Sequence, residues 1–221
     1  MKSRQLHQII ITDNNNSGRM YDLAYMLAII TIFYNIIEGV VSVWLGLSDE
    51  SLALFGFGAD SFVEFISGLG IAHMIVRIRN NPGSKRDSFE RNALRITGTS
   101  FYILTAGLAL SGIHNIIIGH KPETTFWGVV ISSVSIIVML ILIAGKIRAG
   151  KRLNSAAILA DAECTRVCVY MSLILLLSSG IYELTGFRYI DSIGTLGLAY
   201  LSFNEGRECF RKAKNNINCV C

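Results

Sequence analysis

"FGADSFVEFISGLG", residues 57–70, sets two carboxylates, Asp60 and Glu64, among phenylalanine, valine, isoleucine, alanine, serine and glycine. On a helix, residues four apart differ by about 40° and stack one turn apart on a single face. Like charges so placed repel, and removal from water would drive at least one of them to take up a proton. A divalent cation between them removes both costs. The surroundings of the stretch decide whether that face looks into water or into hydrocarbon.

Of the 221 residues, 52% are hydrophobic and 16% charged, well below the roughly 25% charged residues of soluble domains. The apolar residues fall in runs that approach the roughly 20 residues needed to cross a bilayer. The chain therefore reads as an all-α integral membrane protein with six spanning segments, near 21–47, 52–76, 96–118, 124–145, 156–183 and 189–206. Pro82 and Pro122 both fall between segments, where a missing backbone donor costs little. The sixth segment, "YIDSIGTLGLAYLSFNEG", is the least apolar. Residues 1–20 lack the uninterrupted apolar core of a signal peptide and read as a polar leader. Residues 21–212 form the six-helix unit, and 213–221 a short cysteine-containing tail.

Basic residues check the count. Lys2, Arg4 and Arg19 precede the first span, and Arg77, Arg79, Lys85, Arg86, Arg91 and Arg95 follow the second. Lys146, Arg148, Lys151 and Arg152 follow the fourth, and Arg207, Arg211, Lys212 and Lys214 the sixth. The first connection has none, the third only Lys121 and the fifth only Arg188. Positive charge alternates with each crossing, which puts both termini in the cytoplasm of a multi-pass protein of the cell's inner or plasma membrane. Topology thus accounts for the net charge of +4, and a nucleic-acid partner has no support. The cysteines do not suggest a disulfide framework: Cys164 and Cys168 lie in the fifth span, and Cys209, Cys219 and Cys221 on the reducing side.

An ionisable side chain at bilayer depth costs at least about 2.5–3.5 kcal/mol and normally faces a cavity or a partner. Glu38, Asp60, Glu64, Asp161, Glu163 and Arg166 all fall within spans, and Asp191 opens the last. In "LADAECTRVCVY", residues 159–170, Asp161, Cys164 and Cys168 stand at i, i+3 and i+7, within an arc of about 60°. Glu163 and Arg166 point elsewhere at a spacing that lets them pair. A lone membrane cysteine is usually a small hydrophobe. Two of them one turn apart, an acid a turn earlier, read as ligands, and with Asp60 and Glu64 they would close a tetrahedral site. His73 and His114 read as packing residues, and Gly56, Gly58, Gly68 and Gly70 as points of close helix contact. A membrane thiol oxidoreductase fits poorly, because the spacing is C-x-x-x-C and no quinone or haem signature accompanies it. No catalytic constellation and no resident cofactor is expected.

The joint order of these motifs resembles the cation diffusion facilitators, six-helix divalent-metal/proton exchangers, over residues 20–212. "YNIIEGVVSVWLGLSDESLALFGFGADSFVEFISG" is similar to their first two helices, with Asn35 and Glu38 as well as the two acids. "NSAAILADAECTRVCVYMS" is similar to their fifth, which usually reads Ala-Asp-Ala-x-His-x-x-x-Asp, and "YIDSIGTLGLAYLSFNEG" to their sixth. The resemblance implies a transport site of Asp60, Glu64, Cys164 and Cys168, with Asn35, Glu38 and Asp161 in its second shell or pathway. Cys164 stands where His is usual and Cys168 where Asp is usual, so the half-site on the fifth helix is softer. Zinc is the first expected substrate, with cadmium or mercury close behind. The resemblance also implies metal/proton antiport by alternating access, and a homodimer. The chain reads as a short, transmembrane-only member without the cytosolic C-terminal domain. The competing reading is a membrane metal-binding or partner-modulating protein that does not itself transport.

The alternation of charge makes a topological prediction that owes nothing to the resemblance. Single cysteines placed at Ser84 and Thr124 in a cysteine-free background should label from opposite sides of the membrane with an impermeant maleimide. Labelling from one side for both would rule out an odd number of crossings between them.

Overall fold

The computed structural model describes residues 2–81, 88–119 and 121–214, and among these every regular element is a helix. In chain order they are α1 (Lys2–Ser48), α2 (Leu52–Asn80), α3 (Ser88–Ile118), α4 (Phe126–Arg152), α5 (Ala156–Thr185) and α6 (Ile190–Lys214). All six expected segments are helical. Helix α1 begins at Lys2, and its membrane-length portion runs from Gly18 to Ser48.

Five of these helices are long and apolar enough to cross a membrane, and α6 is not. Its passage through the bundle rests on packing instead. At its start, the Asp191 carboxylate accepts hydrogen bonds from Ser51 Oγ (2.6 Å) and Leu52 N (3.0 Å), in the turn between α1 and α2. Toward its end, the Phe210 ring stacks on Tyr102 at 5.5 Å and lies against Gly98 of α3. The helix therefore runs antiparallel to α3 across the thickness of the bundle.

The bundle is apolar outside, and among its apolar core it encloses a set of polar side chains. Trp44, Leu110, Ile117 and Leu184 are among the large apolar side chains that face outward. Asn35, Glu38, Ser61, Ser135, Lys146, Asp161 and Ser172 are buried. An apolar exterior is what a hydrocarbon solvent requires, since a polar group turned outward would go unsatisfied. The helices pair as α1 with α2, α4 with α5 and α3 with α6, and α2 also packs on α3, α5 and α6.

Glycine permits the tightest of these contacts. A Cβ at Gly58 would lie 2.7 Å from the backbone nitrogen of Val43 and 2.8 Å from Ser42 Cβ. Nearer the turn, one at Gly46 would lie 2.5 Å from Phe55 N. The α1 and α2 backbones thus approach too closely for any side chain, the use of small residues typical of membrane helices. Beyond the turn, Ser51 caps α2 by accepting from Leu54 N.

Two apolar clusters fill the ends of the bundle. Ala53, Leu54, Phe57, Leu108, Met171, Leu175 and Leu198 pack near the α1–α2 turn. Ala24, Ala28, Ile32, Ala72, Ile75, Ala149 and Ile158 pack toward the opposite end, between α1, α2, α4 and α5. Because backbone cannot yield as a side-chain tip can, Gly58→Ala should lower stability by about 1–3 kcal/mol through overpacking. The measurement is the thermal midpoint of the purified protein in detergent. Gly107→Ala, with no atom within 4 Å of the added methyl, is the control expected to keep or slightly raise it, since alanine is the better helix former.

Candidate metal centre

The contact between α2 and α5 brings the two halves of the expected site together. Cys168 donates its thiol hydrogen to Glu64 Oε1 at 2.6 Å. Asp60, one turn earlier on α2, is 4% exposed, and its Oδ1 has no hydrogen-bond partner among the described residues. A buried carboxylate oxygen left unpaired in this way is expensive, and it marks a position prepared for a cation or a proton. Asp60, Glu64, Cys164 and Cys168 all line one cavity of about 90 Å³, room for several water molecules.

The cavity has a direction. Its lining runs from Phe101 and Met171, next to the apolar cluster at the α1–α2 turn, to Ala93 of α3 and Lys212 of α6. It therefore occupies the half of the bundle that holds the end of α2, the start of α3 and the end of α6.

The four residues are not closed into a finished tetrahedron. Among the described residues, no group of three or more His, Cys, Asp or Glu converges closely enough to hold a metal ion. Glu64 and Cys168 touch, and Asp60 and Cys164 share their cavity. Cys168 is a free thiol, and Lys212 Nζ lies 3.6 Å from the Cys164 sulfur.

The three accompanying residues divide. Asn35 is 1% exposed and lines the cavity, its Oδ1 without a partner among the described residues. Glu38 is buried outside the cavity lining, accepting from the Tyr34 hydroxyl (2.9 Å) and Ser61 Oγ (3.0 Å). Asp161 lines the cavity as its face predicts, but its Oδ1 is held by Lys146 Nζ at 2.9 Å. Glu163 and Arg166 pair with each other at the surface, as their spacing implies. His73 lies against the Phe89 ring at 4.6 Å, in a packing role. Cys219 and Cys221 lie outside the described residues.

Sequence reasoning missed Lys146, Glu205 and Lys212, all of which line the cavity. Lys146 follows a long apolar run, and so reads as the first charge of a cytoplasmic connection. A usable signal was present in Gly145, Ala149 and Gly150 around it, because small residues mark a packed face rather than a water-exposed one. Glu205 and Lys212 sit on the least apolar helix, where charge carries the least information.

A helical bundle with an apolar exterior, whose carboxylates and thiols line one interior cavity, has the build of a multi-pass membrane protein. The sequence matches the cation efflux transmembrane domain over residues 28–217, and the chain belongs to that family, whose members are transporters rather than enzymes. It is 25% identical over 178 residues to the magnetosome protein MamB of Magnetospirillum gryphiswaldense, covering 78% of this chain and 59% of that protein. The chain thus spans about three-fifths of the length of the curated relative it matches.

Asp60 is the group whose removal is most telling. Asp60→Ala should remove tight cadmium or zinc binding while leaving the protein inserted and folded, because truncation relieves repulsion with Glu64 and deletes an unpaired oxygen. Equilibrium dialysis of the detergent-purified variant against each metal checks this. Undiminished binding would take Asp60 out of the site.

Proposed function

We propose that this protein transports divalent heavy-metal cations across the membrane, with zinc the first substrate and cadmium or mercury close behind. The observation that carries the reading is the Glu64–Cys168 contact across α2 and α5, beside the unpaired oxygen of Asp60 in the same cavity. A thiol and two carboxylates make a mixed sulfur/oxygen site. Such a donor set accommodates zinc and favours softer ions more than a purely nitrogen/oxygen set does, while magnesium, calcium and manganese are disfavoured.

Transport is metal/proton antiport by alternating access. In the empty state a proton sits on the Cys168 sulfur and bridges to Glu64. A dication entering the site bonds to the thiolate, so that proton must leave as the metal–sulfur bond forms. Protons arriving from the opposite side reverse the exchange and release the metal. The cavity reaches the end of the bundle rich in lysine and arginine, which the positive-inside rule assigns to the cytoplasm along with both termini. Metal loads from there and leaves on the other side of the cell's inner or plasma membrane. A homodimer is the assembly that membership of the family suggests.

Uptake of zinc, cadmium, mercury, manganese and magnesium into proteoliposomes under an imposed pH gradient, with reductant to keep the thiols reduced, tests the proposal. Flux of zinc and cadmium that collapses with the pH gradient is expected. Binding without flux would instead identify a non-transporting metal-binding or partner-modulating protein.

The cysteines set selectivity. Replacing them together, Cys164→His with Cys168→Asp, exchanges two soft donors for an imidazole and a carboxylate. Soft ions lose most from that exchange, so the ratio of cadmium to zinc flux should fall by about tenfold or more. The pH dependence should shift too, because imidazole titrates near about 6.5 and a free thiol near about 8.5. Unchanged flux ratios with transport intact would remove the thiols from the ligand set.

A further inference from the structure

Lys146 is 2% exposed, one of the largest side chains wholly enclosed in the bundle. Its ammonium donates to Asp161 Oδ1 at 2.9 Å and to Thr165 Oγ1 at 2.9 Å. Asp161 is 3% exposed, and its second oxygen, Oδ2, has no partner among the described residues. A buried carboxylate gains most when both oxygens are satisfied. Here the lysine satisfies one oxygen and leaves the other open.

Position along the helices gives the pair a meaning. Asp161 lies seven residues before Cys168, about 10 Å nearer the α4–α5 turn at 1.5 Å per residue. Asp161 and Lys146 both line the cavity that leads to Asp60 and Glu64. A cation travelling inward from that end of the bundle meets Asp161 before it meets Glu64 and Cys168. A lysine ammonium is a compact point charge on a flexible stem, so it can be displaced from a carboxylate without disturbing the backbone.

We propose that Asp161 is a second cation-binding position, on the inner arm of the cavity, which the Lys146 ammonium occupies as a tethered stand-in when no dication is bound. The incoming dication takes the Asp161 carboxylate as a hard oxygen donor, and the lysine swings aside still protonated, so no covalent bond changes. The lysine has two effects. It keeps the cavity from filling with two dications at once, and it competes for Asp161 so that the ion there is passed on rather than trapped. This rests on the proposed transport reading for its direction of travel. The position itself rests only on the ion pair, the open oxygen and the cavity.

The test counts bound metal. Lys146→Gln keeps a donor for Asp161 and Thr165 but removes the competing charge. The full chain in detergent, dialysed against zinc or cadmium, should then bind about one more dication per chain than wild type. Lys146→Arg, which keeps a charge, should bind as wild type does. Lys146→Met with Asp161→Asn, which removes both charges, should show no gain. A merely structural ion pair predicts the same stoichiometry in every folded variant, and that result overturns the inference.

Folding of Lys146→Gln is itself informative. If it is recovered only when purified with zinc or cadmium, the dication is replacing the ammonium, as proposed. Aggregation with and without metal, while the doubly neutral variant folds, would mean Asp161 cannot take a dication in place of the lysine, and the inference fails. Because the readout is a difference between variants, it is separable from the Asp60 site. Wild type that binds no metal would overturn the proposed function, yet a gain of one in Lys146→Gln would still establish the second position.

Discussion

A charged or hydrogen-bonding group cannot be left facing hydrocarbon, and α2 carries two carboxylates in mid-membrane. Everything around it follows from enclosing them. Helix α2 packs against α1, α3, α5 and α6, and this leaves Asp60 with almost no exposed surface. Enclosure on that scale is feasible only if the neighbours come close. Gly58 and Gly46 let the α1 and α2 backbones nearly touch, where any larger residue would hold the helices apart and admit lipid or water. The same demand accounts for the serine-rich interior. Ser61 is within reach of both Glu38 and the Phe57 carbonyl, and Ser172 of both Ser135 and the Cys168 carbonyl. A hydroxyl with two acceptors in reach can give its single proton to either, so the network remains satisfied when a neighbouring group gains or loses one.

The fold was largely legible because hydrocarbon is a simple solvent. Apolar runs and the alternation of lysine and arginine lead to the same number of segments, and the described residues form six helices. The signal failed where packing replaces hydropathy. Helix α6 is held by Asp191 at one end and by ring stacking at the other, and neither contact can be read from its own composition. The Asp191 partner, Ser51, lies 140 residues away in the chain. An acid at the start of a span could equally have faced a cavity, and local spacing has no means of separating the two fates.

The site was legible in its parts more than in its charges. Spacing on α2 and α5 identifies four residues that share one cavity and two that touch. It also pairs Glu163 with Arg166, because that pairing is local. Lys146 was invisible for the opposite reason. Its carboxylate partner, Asp161, lies across the α4–α5 turn, and its place at the end of an apolar run is where a connection charge belongs. Burying such a pair is costly, and removing one partner costs about 3–5 kcal/mol because the other charge is stranded. A charge pair of this kind is weak evidence for stability. Its place on the cavity wall makes it better evidence for a role in handling cations.

The two halves of the bundle are unlike in what fills them, and that bears on how an enclosed site can be reached. Toward the α1–α2 turn, Leu54, Phe57, Leu108, Met171, Leu175 and Leu198 interlock across α2, α3, α5 and α6. Apolar contacts of this sort carry no directional requirement, so helices can slide or separate there without stranding a hydrogen bond. Side-chain bonds at that end tie each of two helix groups together, and one backbone bond, from Glu123 N to the Asp49 carbonyl at 3.0 Å, joins the start of α4 to the α1–α2 turn. Asp191 ties α6 to the start of α2, and Glu183 of α5 accepts from Thr124 Oγ1 and Thr125 N at the start of α4. Between the α2–α6 group and the α4–α5 group, the junction at this end is the apolar cluster. The seam between the two groups is therefore mostly apolar, and the Glu123–Asp49 backbone bond is a directional link across it that parting would have to break or exchange.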